Sequence, residues 1–170
     1  MSRSCLILLV TMTISCGAAN GRAPNVVILY TDDLGNGDVG CYGCKDIRTP
    51  NIDALADSGA RFTNYYSPAP ICAPARAAML SGRYPRRAGM SNIHNIGSAP
   101  NSPGLNAEEV TFAELAKKRG YATAVFGKWH LGSVYECHPN SQGFDSFFGH
   151  LGSCIDSFSH MFYALSLIHI

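Results

Sequence analysis

The segment Thr111-Phe-Ala-Glu-Leu-Ala-Lys-Lys-Arg-Gly-Tyr-Ala-Thr-Ala-Val-Phe-Gly-Lys-Trp-His130 decides the fold class, because it joins a helix signal directly to a strand signal. Thr111-Phe-Ala-Glu114 is a capping box, which predicts a helix that runs to Arg119 and stops at Gly120. Residues 121–126 then form a short apolar run, which predicts a strand buried in a sheet. A helix that leads into a buried strand indicates an α/β protein.

The same alternation of helices and strands occurs earlier in the chain. Residues 24–31 form an apolar run between a proline and two aspartates, which predicts a strand buried on both faces of a sheet. Residues 61–66 have strand composition, and short helices are predicted over residues 52–58 and 75–80, each with a proline near its start. We therefore expect an α/β fold, with a central sheet flanked by helices and a ligand site at the carboxyl ends of the strands.

The composition of the chain and its residues 1–23 limit the classes of protein to which it can belong. The chain has 170 residues with 46% hydrophobic and 15% charged, which is typical of a globular domain. A net charge of +1 gives no electrostatic reason to expect nucleic acid or an anionic membrane as partner. Residues 1–23 have the pattern of a signal peptide, so we expect export to the periplasm or medium, or to the lysosome in a eukaryote. No apolar run is long enough for a membrane span.

Seven cysteines also bear on function, because five remain once residues 1–23 are removed. Five is an odd number, so in an oxidising compartment at least one thiol is unpaired or chemically altered. Cys72 is a candidate, since it lies at a predicted helix start, where free N–H groups favour an anion. A structural or disulfide-bonded cysteine is the alternative. Arg76, one turn later, could offer a forked donor to an oxyanion or could be a solvated helix residue.

Two further pairs of polar residues follow predicted strands. Asp32 and Asp33 repel each other unless a hard cation or hydrogen-bond donors offset their charge, so they indicate either a divalent metal site or an Asx-type turn. Lys128 and His130 flank Trp129 after the second strand, and they supply a point charge and a titratable donor. An exposed lysine beside a packed tryptophan is the alternative reading of that pair.

Taken in order, these motifs resemble the type I sulfatase family over residues 24 to about 163. Cys-x-Pro-Ser/Ala-Arg followed by Leu-Thr/Ser-Gly-Arg is the signature of that family. The matching segments are Thr31-Asp-Asp-Leu-Gly-Asn-Gly-Asp38, Thr49-Pro-Asn-Ile-Asp53, Cys72-Ala-Pro-Ala-Arg76, Leu80-Ser-Gly-Arg83, Gly127-Lys-Trp-His-Leu-Gly132 and Gln142-Gly-Phe-Asp145.

The resemblance implies an alkaline-phosphatase-like α/β fold and a sulfuric ester hydrolase, whose substrate is an aryl sulfate or a sulfated sugar. It implies that a maturation enzyme oxidises Cys72 to formylglycine, whose hydrated aldehyde attacks the sulfur and later expels sulfate. It also implies that Asp32, Asp33 and the residue formed from Cys72 bind a calcium ion, with magnesium as the alternative, that polarises the sulfate oxygens.

The resemblance assigns roles to four other residues. Arg76 would hold the formylglycine hydroxyl, Lys128 would contact both the formylglycine and the sulfate, and His130 would act as donor or base during sulfate release. Ser153 falls near a substrate-contacting serine of some relatives.

The family is much longer than this chain, and its second metal-binding Asp-Asn pair, a further histidine and a lysine lie beyond residue 170. Residues 24–170 are therefore predicted to be the N-terminal portion of a catalytic domain. Two alternatives stay open. One is a phosphonate monoester or phosphodiester hydrolase, which shares the fold and the Cys-x-Pro-x-Arg element. The other is an inactive truncated fragment.

Overall fold

A computed structural model describes residues 23–90 and 101–155 of the chain. The predicted signal peptide lies outside these residues, except for Ala23. The chain divides into two compact units, Met1–Leu34 and Gly35–Ile170. Within the described residues, each helix is too short or too polar to cross a membrane.

Residues 23–34, the described part of the first unit, contain neither helix nor strand. The strand predicted over residues 24–31 is therefore wrong. Val26, Val27 and Leu29 expose 69%, 81% and 81% of their surface. A strand needs a neighbouring strand for its backbone hydrogen bonds, and a buried one needs other layers to cover its side chains. The apolar run supplies the side chains but not those neighbours.

Three α-helices occur in the described part of the second unit, and they confirm the three helices predicted from sequence. They are α1 (Pro50–Ser58), α2 (Cys72–Ser81) and α3 (Phe112–Lys118). The strand predicted over residues 61–66 is wrong, because these residues have no regular structure and their side chains are exposed. Their aromatic residues fit a strand, but none of them is covered by a packed layer.

The capping box that opens α3 is present. The Thr111 hydroxyl accepts the Glu114 N–H at 3.2 Å, and the Glu114 carboxylate accepts the Thr111 N–H at 2.7 Å. The same hydroxyl donates to the Gln142 carbonyl at 2.8 Å. Because Thr111 is fully buried, the capping residue also fixes α3 against the chain that leads to the last described strand.

The sheet of the described residues consists of two parallel strands, β1 (Ala124–Lys128) and β2 (Ser146–His150). β1 begins three residues later than the predicted strand and extends to Lys128, and β2 was not predicted. Val125 and Phe147 pair in the ladder and pack against the core, whereas the pair Phe126 and Phe148 is exposed on the opposite face. Two parallel strands with helices confirm the expected α/β class.

Asp145 connects α3 to the start of β2. Its carboxylate lies 2.7 Å from the Lys117 ammonium and accepts the Thr123 N–H at 2.9 Å. The hydrogen bond from Lys117 and those from Thr123 lower the pKa of Asp145 to about 2. The carboxylate therefore stays ionised above the ordinary pKa of aspartate, and its interaction with Lys117 is lost as the pH falls from about 4 towards 2.

The core lies between α2, α3 and the inner face of the sheet. Two of the three core residues on α2 are alanines, and the largest members of the core come from the chain around that helix. The members are Ala73, Ala77, Leu80, Ala88, Met90, Leu105, Ala113, Trp129, Leu131 and Phe144.

Candidate functional site

Cys72 is the first residue of α2 and is half-buried. The preceding residue, Ile71, is extended, and its side chain makes no capping hydrogen bond to the helix. Pro74, in the first turn, has no N–H to satisfy. Unlike Ala73 and Ala77, Cys72 does not belong to the core. The thiol therefore lies at the positive end of a buried helix, where it does not serve as packing.

Arg76 lies one turn after Cys72, so the two side chains share a face of α2. Arg76 is only 8% exposed, and its Nη1 donates to the Lys128 carbonyl at 2.7 Å. Lys128 is the last residue of β1. This hydrogen bond connects two segments that are 52 residues apart in sequence, and it brings the helix that carries Cys72 to the carboxyl end of the strand.

The chain after Lys128 stays hydrogen-bonded to the chain after β2. The Trp129 N–H donates to the His150 carbonyl at 2.9 Å, and the His130 N–H donates to the Leu151 carbonyl at 3.1 Å. The Trp129 indole N–H donates to the Cys137 carbonyl at 2.9 Å. Trp129 is thus a packed residue, and it fixes the backbone between the two polar candidates.

His130 is buried and has a backbone φ of +59°, in the left-handed region. A residue other than glycine in this conformation costs about 1–3 kcal/mol unless surrounding structure holds it there. Such strain is concentrated at functional sites, because it aims a side chain that regular geometry would place elsewhere. Lys128 and His130 would share a strand face if β1 continued regularly, and the turn at His130 prevents this.

Two glycines hold the turn in place. Gly104 lies so close to the loop that a Cβ on it would be 1.9 Å from the Leu131 carbonyl oxygen. Gly132, with φ +105°, packs against Gly104. The Leu105 N–H donates to the Leu131 carbonyl at 3.0 Å. The backbone of residues 104–105 therefore packs directly on the backbone of residues 131–132, which follow His130.

We expect Gly104→Ala to destabilise the protein by about 2–3 kcal/mol, because its methyl group has to displace the Leu131 carbonyl. Gly37→Ala is the matched control, since a Cβ on Gly37 meets nothing within 4 Å. Urea unfolding of both variants measures the effect, and equal midpoints for the two would contradict the close packing.

His150 and Ser153 lie where β2 ends. His150 is the ladder partner of Lys128 and is half-buried. Ser153, a predicted substrate contact, follows three residues later and is also half-buried, with its hydroxyl 3.5 Å from the Cys154 sulfur. The sequence interpretation had not placed His150 at a strand end. The two adjacent aromatic residues of Ser146-Phe-Phe-Gly-His150 were the signal that could have indicated a strand there.

Asp32 and Asp33 belong to the first unit, and both are exposed. Asp33 has a φ of +59°, a conformation that aspartate tolerates better than most residues. Their carboxylate oxygens suit a hard cation, but calcium takes six to eight oxygen ligands. Among residues 23–90 and 101–155, no group of three or more His, Cys, Asp or Glu could hold a metal ion. The two aspartates therefore fit calcium in donor type but are too few to form its site.

Asp53 gives the segment Thr49-Pro-Asn-Ile-Asp53 a structural role, through the hydrogen bonds that its carboxylate accepts. Its Oδ1 accepts the Cys41 N–H at 2.6 Å and the Thr49 hydroxyl at 3.0 Å. The Thr49 hydroxyl in turn accepts the Gly40 N–H at 2.8 Å. These bonds fasten the glycine-rich loop to the start of α1. The motif has a structural role in this unit.

Cys137 differs from Cys72 in its surroundings. It is buried, its thiol donates to the Leu105 carbonyl at 3.2 Å, and burial raises the pKa of that thiol. A neutral thiol enclosed in this way is a structural group and a poor nucleophile. All five cysteines of the described chain are free thiols in the structure.

Comparison with known proteins gives consistent results. The sulfatase family model matches residues 24–160. Steryl-sulfatase of Rattus norvegicus is 46% identical over 152 residues, which is 84% of this chain and 26% of that protein. Arylsulfatase A of Homo sapiens is 47% identical over 140 residues, 81% of this chain and 27% of that protein. The chain thus spans about a quarter of the length of these relatives.

Solved structures show the same similarity. "Crystal structure of Ps i-CgsB" has a TM-score of 0.73 and 38% identity, and the match covers 81% of this chain and 30% of that chain. A structure titled for the metabolism of multiple glycosaminoglycans by Bacteroides thetaiotaomicron has a TM-score of 0.60 and 38% identity, over 72% of this chain and 27% of that chain.

Proposed function

Because the chain belongs to the sulfatase family, we propose that the full-length protein hydrolyses sulfate esters at a site built from Cys72, Arg76, Lys128 and His130. The observation that carries the proposal is the hydrogen bond from Arg76 to the Lys128 carbonyl at 2.7 Å. It connects the signature helix to the strand end that carries the other two polar residues, so one anion could contact groups from both segments.

Cys72 is proposed to be the precursor of formylglycine, made by a maturation enzyme. When formed, this group supplies the nucleophilic oxygen and the means of expelling sulfate. The position suits the role, because Cys72 is half-buried at the start of α2, outside the core. Its neighbours need not repack when the thiol is replaced. The N–H groups of the first turn would face the negative charge that develops on the attacking oxygen.

Arg76, Lys128 and His130 then divide the remaining tasks. The buried Arg76 guanidinium would hold the hydroxyl of the modified residue and offset negative charge. Lys128 would bind a sulfate oxygen from the strand end. His130, held in its left-handed conformation, would move a proton to or from the modified residue during sulfate release. Ser153 is proposed to contact the substrate.

Calcium, or magnesium, is proposed as the metal, with Asp32 and Asp33 among its ligands. Bound there, it would act as a Lewis acid towards the sulfate oxygens. The donor type of the two aspartates supports this assignment. The remaining oxygen ligands would come from outside the described residues.

Two proposals concern the chain as a whole. Residues 1–23 are proposed to be a signal peptide that exports the protein, and residues 24–170 the N-terminal portion of its catalytic domain. The coverage of about a quarter of the relatives supports the second of these. The 170-residue chain by itself would then lack groups that the complete site requires.

The test uses full-length protein co-expressed with a maturation enzyme. Mass spectrometry of the peptide that contains Cys72 should show the fixed loss of mass that accompanies conversion of the thiol to an aldehyde. The matured protein is then given matched aryl esters of sulfate, phosphonate and phosphodiester type. We expect the sulfate ester to be hydrolysed fastest. Faster phosphonate or phosphodiester turnover would assign the alternative activity, and an unmodified thiol would contradict the mechanism.

A further inference from the structure

We propose that Cys41 and Cys44 form a reversible disulfide across a single tight turn under oxidising conditions. Only Tyr42 and Gly43 separate the two cysteines, and both are half-buried thiols in the structure. Neither thiol belongs to the site of the proposed hydrolysis, so the inference goes beyond that function. The compartment in which the bond forms rests on the proposed export of the protein.

The backbone between the cysteines turns back on itself. Gly40–Tyr42 form a short 3-10 helix, and Gly43 ends it with a φ of +102°, in the left-handed region. The Gly43 N–H donates to the Gly40 carbonyl at 2.8 Å, and the Cys44 N–H donates to the Val39 carbonyl at 3.2 Å. These two bonds are those of a Schellman motif, which closes the end of a helix. The turn therefore fixes the direction of the chain after Gly43.

The separation across this turn suits a disulfide. Residues i and i+3 of a tight turn have Cα atoms within about 7 Å of each other, and Cys41 and Cys44 are such a pair. A disulfide needs Cα atoms about 4.4–6.8 Å apart. Gly43 makes the turn possible, because a left-handed backbone is strained in a residue that has a Cβ. The backbone of the turn is thus compatible with the bond.

Hydrogen bonds hold both cysteines in place before the bond forms. The Cys41 N–H donates to Asp53 Oδ1 at 2.6 Å, and the Arg61 guanidinium donates to the Cys41 carbonyl. The Cys44 N–H is bonded within the turn, and the Cys44 sulfur accepts the Ile47 N–H at 3.4 Å. Because the backbone is already ordered on both sides, closing the ring costs little further conformational entropy.

Pairing with each other is favoured over pairing with other cysteines. Cys137 is buried, its thiol donates to the Leu105 carbonyl at 3.2 Å, and burial raises the pKa of that thiol. The thiolate is the reactive form, so Cys137 exchanges slowly. Cys41 and Cys44 are also closer in sequence than any other two cysteines of the chain. Their ring is the smallest, and its closure costs the least entropy.

The bond forms by exchange with a small-molecule disulfide such as glutathione disulfide. One thiol of the pair loses its proton, and the thiolate attacks the S–S bond of the oxidant, which releases one reduced thiol and leaves a mixed disulfide. The second thiolate of the pair attacks the protein sulfur of that mixed disulfide and expels the second reduced thiol. The protein gives up two protons and two electrons, and the oxidant is reduced to two thiols.

The experiment equilibrates full-length protein with glutathione and glutathione disulfide, blocks the remaining thiols with N-ethylmaleimide and digests the denatured protein with trypsin. Cleavage after Arg22 and Lys45 releases residues 23–45, whose only cysteines are Cys41 and Cys44. In the disulfide-rich buffer we expect mass spectrometry to show this peptide without alkyl groups and two hydrogens lighter. In glutathione alone it should carry two alkyl groups. A peptide that carries N-ethylmaleimide or glutathione in the disulfide-rich buffer would overturn the proposal.

Gly43→Ala tests whether the turn positions the thiols. Alanine is strained at a φ of +102°, so the equilibrium constant for disulfide formation should fall about 3- to 10-fold. Gly37→Ala is the matched control, because a Cβ on Gly37 meets nothing within 4 Å and its backbone is not left-handed. An equal fall in both variants, or in neither, contradicts the role of the turn. None of these measurements uses sulfate-ester hydrolysis, so this proposal and the proposed function can fail separately.

Discussion

Cys72→Ala in the full-length, matured protein is expected to lower sulfate-ester hydrolysis by at least about 10⁴-fold, because loss of the nucleophile removes the covalent route entirely. Folding should stay nearly intact. Cys72 is half-buried at a helix start and outside the core, so truncation to alanine leaves no core cavity. Alanine is also a good helix former at this position.

The measurement pairs initial rates of aryl sulfate hydrolysis with a thermal unfolding curve. Cys44→Ala serves as the control, since Cys44 is half-buried and its sulfur accepts only one weak hydrogen bond, from the Ile47 N–H at 3.4 Å. Its activity should match the wild type. Turnover retained in Cys72→Ala would refute the role of Cys72, and a large fall in its melting temperature would mean that the residue is structural.

Arg76→Lys is expected to reduce kcat about 10²- to 10³-fold while keeping the positive charge. Arg76 is 8% exposed and donates through Nη1 to the Lys128 carbonyl. A lysine ammonium is a point charge and cannot serve that carbonyl and the modified residue in the same forked geometry. Stability should also fall by about 1–3 kcal/mol, because the partly buried Lys128 carbonyl loses its donor.

Arg119→Lys is the control for this substitution. Arg119 is exposed at the end of α3, so replacing its guanidinium by an ammonium should change neither the rate nor the unfolding midpoint by a measurable amount. If Arg76→Lys loses stability but retains the wild-type kcat per folded molecule, Arg76 acts only as a structural connection between α2 and β1.

Local signals in the sequence predicted the helices well. The helix signals were the Thr111-Phe-Ala-Glu114 capping box and Pro50 at the first position of α1. Both act on residues only a few positions away, so the sequence alone is enough to predict their effect on the structure. The family resemblance and the alkaline-phosphatase-like α/β fold are likewise confirmed. In contrast, the strands predicted over residues 24–31 and 61–66 do not form, because a strand depends on partners elsewhere in the chain.

The features of the candidate site also divide into those that the sequence determines and those that the tertiary structure determines. The sequence by itself determined which groups are present: a cysteine one turn before an arginine, and a lysine and a histidine after an apolar run. Only the tertiary structure decided that Arg76 reaches the Lys128 carbonyl, that His130 adopts a left-handed backbone, and that His150 pairs with Lys128. Residue types and short spacings can be taken directly from the sequence, whereas contacts between distant segments form only when packing and strand register bring those segments together.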